Sequence, residues 1–405
     1  MLRRSAVAVL ALLLGPVAAV GCSSAATPDH GTGPTPTGTL VFSPAATATT
    51  PGAPAPAGTA PATPSDGTPA AAPSATAAVA VRATVAQDLD APWGLAVLPE
   101  GDLLVAERDS GRIVRVAAPD GAKTEAGTVP GVESGGEGGL LGLALSPGFA
   151  TDHLVYAYLS TASDNRVVRF DYDPARPAGG QLGSPTFLLE GIPHGSRHNG
   201  GRIAFGPDGM LYAGTGDAGD TALAQDRASL GGKVLRLTPD GAPAPGNPFP
   251  GSPVWSTGHR NVQGLTWDPQ GRLWASEFGQ DTWDELNLIR PGGNYGWPTV
   301  EGVGGRPEFV DPVARWRTSE ASPSGIAYAD GAVWLAALRG ERLWRVPLDG
   351  EEPAAQPQEF LSGAYGRLRT VVADRDGTLL LVTNNTDGRG DPRAGDDRVL
   401  RLTVS

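Results

Sequence analysis

From residue 79 onward, apolar and polar side chains alternate along short runs broken by Gly, Pro and Asp. Alternation with period two predicts half-buried β-strands, and the breaks predict tight turns. Gly201-Arg-Ile-Ala-Phe and Met210-Leu-Tyr-Ala-Gly, separated by Gly-Pro-Asp-Gly, read as two strands and their turn. The same unit returns from Trp93, Leu141, Gln263, Ser324 and Leu368, each followed by a further apolar strand such as Arg342-Leu-Trp-Arg-Val or Arg398-Val-Leu-Arg-Leu. Self-similarity at roughly 50 residues is the mark of a β-propeller with one blade per repeat. The expected fold is all-β: a six-bladed β-propeller of four-stranded antiparallel blades, with residues 79–405 forming one domain because each blade packs on its neighbours.

The pattern upstream is different. Residues 1–22 begin Met-Leu-Arg-Arg-Ser, continue through an apolar run too short for a comfortable membrane span, and end in Gly-Cys-Ser-Ser. Cys22, the single cysteine of the chain, follows Ala-Val-Gly as in a bacterial lipobox, with Ala19 where leucine is usual. We expect a lipoprotein signal peptide with lipidation at Cys22; the alternative is an ordinary secretory signal. Residues 23–78, rich in Ala, Thr, Pro, Ser and Gly, lack the apolar content to fold and are expected to be a disordered tether. Either signal places the mature protein outside the cytoplasm, meeting the membrane only through its N-terminal anchor.

Charge narrows the function. With 31 Lys and Arg against 43 Asp and Glu, the net charge of −12 offers no field for a nucleic acid. One cysteine excludes intramolecular disulfides, Cys-based zinc sites and covalent haem attachment.

Since a propeller is a scaffold, the chemistry is sought where loops break the repeat. His198 stands on an irregular loop before a hairpin, and Asp217 follows that hairpin: a candidate general base with its orienting carboxylate, or a surface histidine beside a turn aspartate. Glu137 is the one acid in Ser134-Gly-Gly-Glu-Gly-Gly, where glycines let backbone approach a ligand. Arg260 and Asn261 follow His259 and offer fixed donors. Ser276-Glu-Phe-Gly-Gln-Asp-Thr-Trp-Asp-Glu and Gly292-Gly-Asn-Tyr supply the hard oxygens that Ca²⁺ prefers, without EF-hand spacing. Arg367 and Arg369, two apart on a strand, present two guanidinium forks to one side.

Seven stretches, from GEGGLLGLALSPGF and RHNGGRIAFGPDG through LGGKVLRLTPDG, TGHRNVQGLTW, SEFGQDTWDELNLI and GGNYGWP to GRLRTVVADRDG, together resemble the pyrroloquinoline-quinone-dependent glucose and aldose sugar dehydrogenases, the glucose/sorbosone dehydrogenase family. The likeness spans residues 85–403 in order and implies a six-bladed propeller. It implies His198 as catalytic base with Asp217 as partner, and Arg260 and Asn261 at the quinone oxygens. Arg367 and Arg369, with Arg339 in place of a lysine, would hold the carboxylates of pyrroloquinoline quinone (PQQ). Backbone carbonyls of Gly279 and Gln280 would bind the catalytic Ca²⁺, and the backbone around Glu285 and Tyr295 a further, structural Ca²⁺. Glu137 replaces a cofactor-contacting glutamine, Gln280 a proline. The reaction implied is oxidation of the anomeric hydroxyl of an aldose to a lactone, with electrons passed to an external acceptor. Two other readings stay open at this point: a Ca²⁺-dependent lactone hydrolase on the same scaffold, and a non-catalytic, surface-tethered propeller that binds without turning over. The arginine set argues against the first, and Glu137, a negative charge beside a tricarboxylate, keeps the second.

Overall fold

Strand after strand in this chain is buried on both faces, as in Leu103–Glu107, Ala332–Ala337 and Leu379–Thr383. A strand covered on both sides must lie between two sheets, and stacking sheets around an axis meets that demand. The computed structural model describes residues 77–118 and 120–405. The signal-peptide reading with Cys22 and all but the end of the tether reading lie outside the described residues.

Among the described residues the strands form six antiparallel sheets. Five are consecutive in sequence, at 92–128, 140–192, 203–256, 262–317 and 323–360; they are called blades 1 to 5 here. Blade 5 carries an additional two-residue strand, Glu352–Pro353, on its third strand. Blade 6 combines Leu368–Ala373, Leu379–Thr383 and Val399–Val404 with Val79–Ala86 from the start of the domain. Val79 pairs with Val404 and Ala86 with Val399, so the first and last strands of the domain close the ring. The repeat pattern finds the six blades but not this closure, because the Val79–Ala86 strand precedes the first repeat. Among the described residues two short helical turns, Phe149–Asp152 and Thr221–Ala224, interrupt the strands.

The apolar core follows the same logic. It consists of six clusters, each made chiefly of residues from two adjacent blades. Trp274 of blade 4 packs with Val333 and Leu335 of blade 5, while Trp334 of blade 5 packs with Leu379 and Leu381 of blade 6. Each large side chain buried this way contributes about 1.5–3 kcal/mol. No cluster fills the axis. The first strand of every blade lines it, and these six strands all run in one direction. The loops entering them therefore gather at one end of the axial channel.

Candidate active site

Those entry loops, with the loops linking the second and third strands of blades 3 to 6, bring together most of the residues singled out from the sequence. His198 sits in the loop entering blade 3 with φ of 56°, a left-handed conformation that costs a non-glycine residue about 1 kcal/mol or more. Its surroundings fix it there. Its N–H donates to Glu137 Oε2 at 2.8 Å and its carbonyl accepts from Ala218 N at 3.1 Å. Gly216 is a position that only glycine fits, since a Cβ would collide with the His198 carbonyl oxygen.

His198 Nδ1 lies 2.6 Å from Asp217 Oδ1. Asp217 is fully buried and also accepts from Gly219 N at 2.8 Å and from the Trp297 indole at 2.9 Å. Burial pushes its pKa up, but these donors outweigh it and hold the carboxyl below its usual range. An ionised Asp217 fixes Nδ1 of His198 as the donor. Nε2 has no protein partner among the described residues, and is the nitrogen available to a substrate proton.

Arg260 and Asn261 are tied to this pair through backbone: Asp217 N donates to the Arg260 carbonyl, and Gly200 N to Asn261 Oδ1 at 2.9 Å. The Arg260 guanidinium lies over the Trp297 ring at 5.4 Å and donates through Nη1 to the Phe278 carbonyl. Two buried donors here have no partner, Arg260 Nε and Asn261 Nδ2. Unpaired buried donors cost about 1–3 kcal/mol each, so the site is built to be completed by an acceptor.

Beside them opens a cavity of about 260 Å³. Arg339, Arg367 and Arg369 line it, as does Glu137; Arg108 and Arg389 add two further guanidinium groups, and Asp387 a second carboxylate. Asp387 neutralises the floor, meeting Arg367 at 2.9 Å and Arg369 at 3.4 Å. Burial lowers the Arg369 pKa to about 9, so the group stays protonated at neutral pH, with Asp387 supporting the charge. Arg108 pairs outward with the half-exposed Asp109. Arg339 is exposed and makes no ion pair among the described residues. Glu137, which is set against a tricarboxylate in the sequence reading, is paired: its Oε1 meets Arg389 Nη1 at 2.8 Å. Burial raises its pKa, but the His198 N–H and Arg389 more than offset that, so the carboxylate is ionised.

The oxygen-rich stretch after residue 276 folds into a neighbouring cleft. Glu301 Oε1 accepts from the backbone N–H groups of Gln280, Asp281, Thr282 and Trp283, which turns the chain sharply. Among the described residues no donor meets the carbonyl oxygens of Gly279 and Gln280. Glu285 and Tyr295 line that cleft with Arg260 and Gly279, whereas Gln280 is exposed. The Tyr295 hydroxyl is spent on the Leu288 carbonyl at 2.6 Å and the Arg290 N–H at 2.8 Å, and its ring stacks on His259. Burial, with the Glu277 carboxylate close by, raises the Glu285 pKa. Asn287 donates to both carboxylates and leaves its own Oδ1 buried without a donor.

Trp297, Asp387, Arg108 and Arg389 line or brace the site and are residues that the sequence reading passes over. Trp297 stands in the quoted GGNYGWP stretch. Asp387 and Arg389 lie in the loop between the second and third strands of blade 6, equivalent to the loop that carries Asp217 in blade 3. A second larger cavity, about 680 Å³, opens at the far end of the channel between the exits of the inner strands. It holds neither the His198–Asp217 pair nor the arginine cluster.

Comparison with known proteins follows the same lines. Residues 89–394 match the family model described as glucose/sorbosone dehydrogenase. The PQQ-bound aldose sugar dehydrogenase of Streptomyces coelicolor is similar at 67% identity and a TM-score of 0.81, over 82% of this chain and 100% of that one. An aldose sugar dehydrogenase of Escherichia coli is 29% identical over 340 residues, 76% of this chain and 91% of its own. Quinoprotein glucose dehydrogenase B of Acinetobacter calcoaceticus is 33% identical over 252 residues, 54% of this chain and 52% of its own.

Proposed function

The chain belongs to the glucose/sorbosone dehydrogenase family, and from that premise we propose that it is a PQQ-dependent aldose sugar dehydrogenase. It oxidises the anomeric C1–OH of an aldose to the lactone and passes the electrons to an external acceptor. One observation carries the reading. Five guanidinium groups, one of them (Arg108) paired outward with Asp109, face two carboxylates in the lining of one cavity beside a buried His–Asp pair. That positive excess suits a polycarboxylate. A lactone hydrolase would need a carboxylate cage about its metal in place of this cluster, and a binding module has no use for a strained, carboxylate-oriented histidine.

The residues present fit PQQ and Ca²⁺. Arg339, Arg367 and Arg369 would hold the carboxylates; the unpartnered Arg260 Nε and Asn261 Nδ2 would meet the quinone oxygens. The free carbonyls of Gly279 and Gln280 are ligands of the kind Ca²⁺ takes, and the Glu285 and Tyr295 region is our second, structural Ca²⁺ site. Bound there, the quinone with its Ca²⁺ supplies a polarised two-electron acceptor for the C1 hydride. The protein does the rest. His198 Nε2 takes the hydroxyl proton, Asp217 keeps the ring in the required tautomer and stabilises it once charged, and Arg260 offsets the negative charge that builds in the cavity. The sugar loses one hydride and one proton, which balances the lactone.

The same reading places the protein outside the cytoplasm, anchored by lipid at Cys22. Its support is the residue pattern of 1–22; no helix among the described residues is long and apolar enough to cross a membrane.

The test is titration of the 79–405 domain with PQQ, with and without Ca²⁺, following dye reduction by a panel of aldoses. Saturable, Ca²⁺-dependent dye reduction is expected. Failure to bind PQQ at micromolar concentration with Ca²⁺ present would overturn the proposal.

A further inference from the structure

Arg202 is a buried cation that the proposed chemistry does not use. It lies at the start of the inner strand of blade 3, and its side chain lines the large cavity at the far end of the channel. Its guanidinium stacks on the Trp93 ring at 4.3 Å, and Trp93 in turn lines the arginine-rich cavity. Arg369, which lines the arginine-rich cavity, approaches the same ring at 5.7 Å. Arg202 is further held by the Gln263 carbonyl at 2.8 Å and the Thr370 hydroxyl at 2.9 Å. Gln263 also accepts from Arg369 through Oε1, and Thr370 donates to the Trp93 carbonyl. Trp93, Arg202, Gln263, Arg369 and Thr370 thus form one partition between the two cavities.

What sets Arg202 apart is the missing counter-charge. No carboxylate among the described residues forms an ion pair with it. Burial alone moves its pKa, down to about 9, with no acidic neighbour opposing. A buried charge without a partner costs several kcal/mol, and neutral hydrogen bonds to a carbonyl and a hydroxyl recover only part of that. Arg367 and Arg369 show that this fold can supply a carboxylate where one is wanted, in Asp387. At Arg202 it does not.

The charge balance of the neighbouring cavity suggests a use. Its lining carries an excess of positive charge, even with Arg108 paired to Asp109, and a bound tricarboxylate takes up most of it. Acceptance of a hydride then adds one further negative charge there, while the accompanying proton goes to His198. We infer that Arg202, acting through the Trp93 partition, is the reserve charge for that step: it favours the reduced cofactor over the oxidised one and so sets the cofactor's reduction potential. Arg202 touches neither cofactor nor substrate, and its role is electrostatic positioning.

The inference rests on the PQQ reading above, and one experiment separates the two. The 79–405 domain and its Arg202→Met and Arg202→Lys variants are loaded with PQQ and Ca²⁺. Binding is followed by quenching of tryptophan fluorescence, and the bound cofactor is equilibrated with a mediator dye couple under anaerobic conditions. Arg202→Met is expected to bind oxidised PQQ within a few-fold of the parent. Its equilibrium constant for two-electron reduction should be at least about tenfold lower, about 30 mV in midpoint. Arg202→Lys, which keeps the charge, should recover most of that difference. An unchanged potential in Arg202→Met with PQQ bound overturns the inference, as would equal loss in both variants. Failure of both variants to fold would assign Arg202 to holding the channel together and overturn it too. Absence of PQQ binding to the parent domain would instead remove the functional reading itself.

Discussion

At the scale of single residues the site is a set of compensations around one histidine. His198 is held in a left-handed conformation by Glu137 and Ala218 from either side of its peptide, and its ring by Asp217. Asp217→Asn is expected to keep cofactor affinity while lowering kcat by about 10²–10⁴-fold, because the amide no longer fixes the tautomer; steady-state dye reduction beside a PQQ titration checks this. Glu137→Gln retains an acceptor for the His198 N–H but removes a negative charge from the cavity. PQQ affinity should rise roughly tenfold with kcat little changed, an effect of the size of one partly screened charge. Glu137→Ala, which removes the acceptor as well, should lose kcat. His198 and Asp217 are legible in the sequence because they interrupt a repeat that packing alone would continue. Trp297 is not, since its indole reaches Asp217 from 80 residues further along the chain. Arg389 meets Glu137 across 252 residues, a proximity that exists only once the ring is closed.

At the scale of elements, two devices hold the site and neither depends on a catalytic group. The loop between the second and third strands of blade 3, which bears Asp217, is pinned by Lys233. Its buried ammonium donates to the carbonyls of Leu223 and Gly231 at 2.6 Å and of Ala224 at 3.0 Å. Lys233→Met leaves three carbonyls without a donor. We expect a loss of about 2–4 kcal/mol, less than three uncompensated groups at about 1–3 kcal/mol each because Met also removes the burial cost of the ammonium, together with faster amide exchange in residues 217–232; urea unfolding and hydrogen exchange measure both. The Val79–Ala86 strand closes blade 6 by a ladder to Val399–Val404. A domain starting at residue 88 should lose cooperative unfolding, as seen in the denaturant slope. The strands themselves are legible from short apolar runs bounded by Gly/Pro/Asp turns, although several are buried on both faces rather than half-buried as alternation predicts. The pairing of the domain's first strand with its last is not legible, because no local pattern records a partner more than 300 residues away.

At the scale of the whole molecule, an acidic chain sets a cluster of five arginines at one end of an axial channel and keeps Asp387 among them to offset their charge. Burial raises the Asp387 pKa, but Arg369, Arg367 and the Arg389 N–H together hold it below the carboxylate norm. A depressed carboxylate contributes stability that is fully present above its unfolded pKa and is lost as pH falls through the folded value. Asp387→Asn should therefore destabilise the cofactor-free domain by about 3–5 kcal/mol at pH 7, and the gap to the parent should shrink only as pH drops below about 4; urea unfolding across pH tests the sign. The most direct test of the central claim is a single turnover. PQQ-loaded domain is mixed anaerobically with excess aldose, and cofactor absorbance and lactone are followed together. The account predicts bleaching of the oxidised cofactor with one lactone formed per site, and loss of both in His198→Ala that still binds PQQ. Bleaching at an undiminished rate in His198→Ala, or no lactone in the parent, would contradict it.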